Sequence, residues 1–232
     1  MCIPVPDALD DVTAAALANP AMSSRAALMR ARFVAGESVL ILGATGVAGQ
    51  LAVQVARRLG AKSVTAAGRN PRTLARLSAL GADTVIPLAQ DEAALLDAYR
   101  AAIAESKADV VLDYLWGRPA EVLLQAIAQK GLSHAAPRIR YVQIGNTAGE
   151  TIPLSAAALR SSGLELLGSG FGSASLDEIL KAANEMLVDA ASRPFQITTR
   201  AVPLQEVDTA WNLQEDGSRL VFVTSPEAER GG

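Results

Sequence analysis

Gly43, Gly46 and Gly49, three glycines at a spacing of three, stand where this chain is best equipped for ligand chemistry. Before them, Val39, Leu40, Ile41 and Leu42 form an uninterrupted apolar run, the pattern of a parallel strand covered on both faces. After them, Leu51, Val55 and Leu59 recur every four residues as one helical stripe, while Gln50, Gln54, Arg57 and Arg58 fall mostly elsewhere. A strand, a glycine turn and an amphipathic helix in that order form the unit that holds a dinucleotide pyrophosphate. Without a Cβ the backbone turns sharply and brings its N–H groups against phosphate oxygens at the positive end of the helix dipole. Ala44 and Thr45 separate the first two glycines, so the spacing departs from the commoner Gly-x-Gly-x-x-Gly. A purely structural turn is the plain alternative, and the flanking strand and helix favour the ligand.

The next strand, residues 63–68, leads to Arg69 and Asn70 about twenty residues beyond the glycine turn. NAD-binding chains usually carry an acid there for the ribose hydroxyls. None is present. Arg69 supplies a permanent planar cation suited to a 2′-phosphate, with Asn70 as a neutral hydrogen-bonding partner and Gly68 leaving room, so NADP is the expected cofactor. The plain reading of Arg69 is a solvated arginine ahead of the helix that Pro71 opens.

The elements that must position these residues alternate along the chain. A helix is expected over residues 10–17, broken at Asn19-Pro20, with a second helix running to about Phe33. Helices are then expected over 71–80, 91–106 and 118–129, and strands over 84–88, 108–113, 138–145 and 164–168. Such an alternation implies an α/β fold, a doubly wound parallel sheet of the Rossmann type with ligands at the carboxyl ends of its strands. Residues 43–49, 68–70, 113–116, 145–147 and 168–170 should therefore lie along one crevice. There Tyr114 and Leu115 are counted among the cofactor-facing residues, whereas Asp113 and Trp116 read as structural or orienting groups and Asp113 is not proposed as a proton donor. The glycines of 168–172 suit either backbone contact with a flat ligand or a mobile crossover. Trp211, with Val207, Ala210 and Leu213 at helical spacing, is expected in the core of a terminal helix.

Composition narrows the classes. At 232 residues and 50% hydrophobic, the chain can bury a substantial core. A net charge of −3 with dispersed basic residues offers no nucleic-acid surface. Cys2 and His134 are each the only residue of their type, so no intrachain disulfide can form and a zinc site is not expected; His134 reads as an exposed loop residue. No apolar stretch is long enough to span a membrane, and residues 1–7 lack the features of an export signal, so the cytoplasm is the expected location.

Taken together these motifs resemble the medium-chain dehydrogenases and reductases, in their zinc-independent quinone-reductase-like branch. The resemblance runs over nearly the whole chain: residues 14–24 ahead of 36–40, the turn at 43–49, then 80–86, 109–113, 202–208 and 217–222. Asn19 stands where zinc-using relatives carry a cysteine. The resemblance implies that Ser23 lies near the nicotinamide ribose and that Gly46, Val47 and Ala48 contact the pyrophosphate through their amides, within a turn that includes Gly43, Ala44 and Thr45. It likewise implies that Arg69 holds the 2′-phosphate, and that Gly145 and Asn146, with Gly168 and Ser169, form two loops beside the nicotinamide. Hydride would pass from NADPH to a quinone or an α,β-unsaturated carbonyl compound, with a homodimer as the expected assembly and no specific catalytic residue assigned. By this reading residues 1–34 are a helical lead-in, 35–194 the NADP-binding domain, and 195–232 a remnant of a β-rich, GroES-like catalytic domain that the chain begins too late to contain. An exposed apolar patch is expected on that last segment. A non-catalytic NADPH-binding or sensing module is the alternative. A short-chain reductase would need a Tyr-x-x-x-Lys pair, and none of Tyr99, Tyr114 or Tyr141 has one.

Overall fold

A computed structural model describes residues 2–128, 137–212 and 218–224. Six parallel strands form the main sheet: β1 (Ser38–Leu42), β2 (Ser63–Gly68), β3 (Thr84–Pro87), β4 (Val110–Asp113), β5 (Arg138–Gln143) and β6 (Gly163–Gly168). Their spatial order is β3-β2-β1-β4-β5-β6, so the winding reverses between β1 and β4. Open sheets of this kind carry their crevice at that reversal, outside the carboxyl ends of the strands. All five residues of β1 are buried, which explains its apolar run.

Helices cover both faces. On one face α1 (Asp11–Arg30), α2 (Val47–Arg58) and α7 (Leu176–Ser192) bring Leu17, Leu28, Leu51, Val55 and Met186 into a single core. On the other, α4 (Glu92–Ser106) and α5 (Gly117–Ile127) pack Leu95, Tyr99 and Leu123 against the sheet. Two short helices complete this part, α3 (Pro71–Leu77) and α6 (Ala156–Arg160).

Pro20 does not divide the amino-terminal helix. Asp10 caps α1, accepting from the Thr13 N–H at 2.8 Å, and the helix continues through Pro20 to Arg30. An internal proline costs about 3 kcal/mol. Here Ala16, Leu17, Pro20, Ala21, Ala27 and Leu28 are all buried, and that burial outweighs the local penalty.

The carboxyl-terminal segment forms a separate two-stranded parallel sheet of β7 (Thr199–Pro203) and β8 (Arg219–Val223), joined in sequence through α8 (Val207–Ala210). The expected burial of Trp211 is not met. Helix α8 is only four residues long, so the projected apolar stripe has no further turn to occupy, and Trp211 is 71% exposed. Its indole stacks on Phe222 at 6.2 Å. Leu204 is also exposed, while Val202, Ala210 and Val221 are buried. His134, Leu213 and Gln129 lie outside the described residues.

Candidate functional site

The glycine turn closes against its own backbone. Gly43 has φ +89°, and the N–H groups of Gly43 and Ala44 both donate to the Ala67 carbonyl, at 2.9 and 2.8 Å. Helix α2 then starts with Gly46 as its N-cap. A Cβ on Gly49 would lie 2.2 Å from the Gly43 oxygen and 2.6 Å from the Ala44 Cα, so this position tolerates no side chain. The Gly46 N–H donates to the Gly43 oxygen at 3.2 Å and is thus engaged inside the turn. Val47, Ala48 and Gly49, in the first turn of α2, have no backbone acceptor for their N–H groups among the described residues. Of the three amides that sequence reasoning names, those of Val47 and Ala48 are thus left without a backbone acceptor, and that of Gly46 is not.

At the end of β2, a Cβ on Gly68 would lie 2.4 Å from the Thr45 methyl, which locks the second strand end to the turn. Arg69 follows, exposed and without an ion pair among the described residues. Asn70 caps α3: its Oδ1 accepts from the Arg72 and Thr73 N–H groups at 3.0 and 3.3 Å, leaving its amide N–H₂ as the outward donor.

The ends of β4, β5 and β6 come together on the other side of the reversal. A Cβ on Gly43 would lie 3.1 Å from the Leu115 side chain and 3.2 Å from the Tyr114 Cβ. One on Gly145 would lie 2.8 Å from the Tyr114 oxygen. The Thr147 hydroxyl donates to that same oxygen at 3.1 Å. The Ser169 N–H donates to the Gln143 oxygen at 2.9 Å, seating Ser169 beside the β5 end, and Asn146 is exposed. No atom lies within 4 Å of a Cβ built on Gly168, so packing does not demand glycine there. The five predicted strand ends thus share one edge of the sheet.

Ser23 lies half-buried on α1, its hydroxyl donating to the Pro20 oxygen at 2.9 Å. Burial pushes the Tyr114 phenol up to about 12, and the nearby Ser23 and Ser24 hydroxyls offset this in part. Neither serine completes a well-formed hydrogen bond to it, and the buried Tyr114 hydroxyl has no hydrogen-bond partner among the described residues. Asp113 is fully buried and its carboxyl is raised above the ordinary value by burial, opposed by the Trp116 N–H, the Tyr141 hydroxyl and the Leu115 N–H.

Sequence reasoning missed two features. Gln54 is buried, its side chain donating to the Gln196 oxygen at 2.9 Å and accepting from the Gln196 N–H at 2.8 Å, a pairing across 142 residues. Trp116 carries φ +54°, which residue type alone does not signal. A cavity of about 200 Å³ lies away from the glycine turn, lined by Arg25, Arg58, Glu185 and Asp189, whose charges are paired with one another. Among the described residues no group of three or more His, Cys, Asp or Glu side chains could hold a metal ion, and no helix is long and apolar enough to cross a membrane.

A parallel sheet that reverses between β1 and β4, with a glycine turn and a helix N-terminus at the reversal, defines a Rossmann-type domain. The zinc-binding dehydrogenase family pattern matches residues 47–188, and the chain belongs to that family, in the quinone-oxidoreductase-like branch of the medium-chain dehydrogenases and reductases. It is similar to the probable NADPH-dependent quinone reductase tdiC of Emericella nidulans, with 31% identity over 235 residues, 94% of this chain and 63% of the relative. Among solved structures it resembles the quinone oxidoreductase of Thermus thermophilus, described also in complex with NADPH. There the identity is 28% and the TM-score 0.68, covering 90% of this chain and 64% of the other. A 2-haloacrylate reductase, at 22% identity and TM-score 0.79 over 97% of this chain and 70% of the other, shares the fold. The chain thus spans less than two thirds of tdiC.

Proposed function

We propose that this chain forms the coenzyme-binding part of an NADPH-dependent oxidoreductase that reduces a quinone or an α,β-unsaturated carbonyl compound without zinc. The observation that carries the reading is the cradle at 43–49, where only glycine fits over the Gly43 carbonyl and the Val47, Ala48 and Gly49 amides are free at the head of α2. Those amides would hold the diphosphate, with the helix dipole behind them. Arg69 would take the 2′-phosphate, and the Asn70 amide would donate beside it. Ser23, Tyr114, Leu115, Gly145, Asn146, Gly168 and Ser169 would line the nicotinamide half. When bound, the reduced nicotinamide supplies the hydride; the chain's own residues orient it and keep water away. The quinone-reductase names of the relatives support this substrate class.

In this reading residues 35–194 are the nucleotide-binding domain, flanked by a lead-in at 1–34 and by a segment at 195–232 that belongs with a GroES-like domain. Two copies would pair along the open edge of β6, in the cytoplasm.

Fluorescence titration of NADPH and NADH against the wild type and Arg69→Ala tests the coenzyme assignment. The variant should lose affinity for NADPH by about tenfold, the scale of one charge-assisted contact, and leave NADH unchanged. Quinones and enones are then assayed for turnover. Tight NADPH binding without turnover above background would favour the non-catalytic module, and uptake of neither nucleotide would end the reading.

A further inference from the structure

Trp116 has φ +54° and ψ −154°, a backbone conformation that residues with a side chain avoid. It follows the carboxyl end of β4 as the N-cap of α5, its side chain packed against the core cluster on the α4 and α5 face. Such a conformation persists only where the surroundings over-determine it, and one carboxylate does most of that here. Asp113 Oδ1 accepts from the Leu115 N–H at 2.8 Å and from the Trp116 N–H at 3.0 Å. Its Oδ2 accepts from the Tyr141 hydroxyl on β5 at 2.7 Å. The Trp116 ring meets the Tyr141 ring edge-on, 6.4 Å between centres and 69° between planes. Gly117 then continues with φ +58°, so close to the neighbouring loop that a Cβ would lie 2.4 Å from the Ala148 oxygen.

On its other flank the same turn sets Tyr114 and Leu115 against Gly43. A buried carboxylate without an ion pair among the described residues is a costly way to hold a turn. Burial raises the Asp113 carboxyl, while the two amides and the Tyr141 hydroxyl favour its ionised form. Tyr99 on α4, whose buried hydroxyl has no hydrogen-bond partner among the described residues, feels the same charge. The cost is concentrated where the glycine turn and the 145–149 loop meet.

We propose that Asp113 is a positioning residue for the coenzyme: by holding Trp116 in its strained conformation, it sets Tyr114 and Leu115 against the glycine turn. This rests on the crevice being the NADPH site, and it adds a residue that acts through others without touching the ligand.

The test uses the Trp211→Phe background, in which Trp116 is the remaining tryptophan of the two in the chain, and reads both NADPH affinity and the near-ultraviolet circular dichroism of Trp116. Asp113→Ala should weaken NADPH binding about tenfold, the equivalent of releasing one strained residue, and abolish the Trp116 band while the far-ultraviolet spectrum is kept. Asp113→Asn retains an oxygen acceptor and should stay within about threefold of the parent. Glycine adopts positive φ freely, so adding Trp116→Gly to Asp113→Ala should bring affinity back to within about threefold. Tyr141→Phe, which removes one of the three hydrogen bonds, covers the case where Asp113→Ala fails to fold; about threefold weaker binding with a reduced Trp116 band is expected. Native affinity with an intact band in Asp113→Ala, or in Tyr141→Phe where it is the variant that folds, would overturn the proposal. So would a double variant as weak as Asp113→Ala alone. If the parent takes up no NADPH, the site reading fails by itself, and the Trp116 band still decides whether Asp113 holds the turn.

Discussion

Gly49 and Gln54 lie less than two turns apart on α2 and carry opposite lessons. A methyl at Gly49 would meet backbone atoms of Gly43 and Ala44, which cannot swing aside. Gly49→Ala is therefore expected to lower unfolding stability by about 2 kcal/mol in urea titration and to remove NADPH binding. That requirement was legible in the sequence, because a glycine at the head of a helix after a buried strand has few other reasons to be there. Gln54 was not legible in this way. It lies off the stripe of Leu51 and Val55 yet is buried, and the partner that satisfies it is the backbone of Gln196. Gln54→Leu should leave that N–H and carbonyl unpaired and cost about 2 kcal/mol, with earlier proteolytic cleavage after Arg193 as the local readout.

Helix α7 is tied to α2 and to the segment after it by charge. Asp189 accepts from Arg58 at 2.8 Å and from Arg193 at 2.5 Å, while Arg58 also donates to the Arg193 and Pro194 carbonyls and lies over the Phe195 ring at 3.5 Å. Burial opposes ionisation of Asp189, but the two arginines outweigh it and hold its carboxyl below the ordinary value. A depressed carboxylate contributes stability that is present above the ordinary range and lost as pH falls through its lowered value. Asp189→Asn should therefore flatten the acid limb of a Tm-versus-pH curve below about pH 4, with the Tm near neutrality lowered. Asp113 has the opposite sign: its raised carboxyl disfavours folding once ionised, and that burden eases on acidification. Element type followed from period and caps, as at α4, where Asp91 accepts from the Ala94 N–H. The continuity of α1 through Pro20 did not, because the burial that overrides the proline comes from α2 and α7, remote in sequence.

Over the whole molecule, the two tryptophans report its two parts. Trp211 is exposed on the small sheet and should be quenched strongly by iodide, whereas Trp116 should be quenched much less. Trp211→Ala should change stability by no more than about 0.5 kcal/mol, measured by urea unfolding. Its exposure was missed because helical projection assumes a helix long enough to have an inside, and α8 ends after four residues. By itself the sequence determined the alternation of strands and helices, the glycine turn and the absence of an acid at position 69, since each depends on neighbours a few bonds away. Only the tertiary structure decided the spatial order of the strands, that the Gly46 amide is engaged within the turn, and that Asp113 braces Trp116. Those outcomes depend on groups brought together across the sheet, whose separation along the chain carries no local signal.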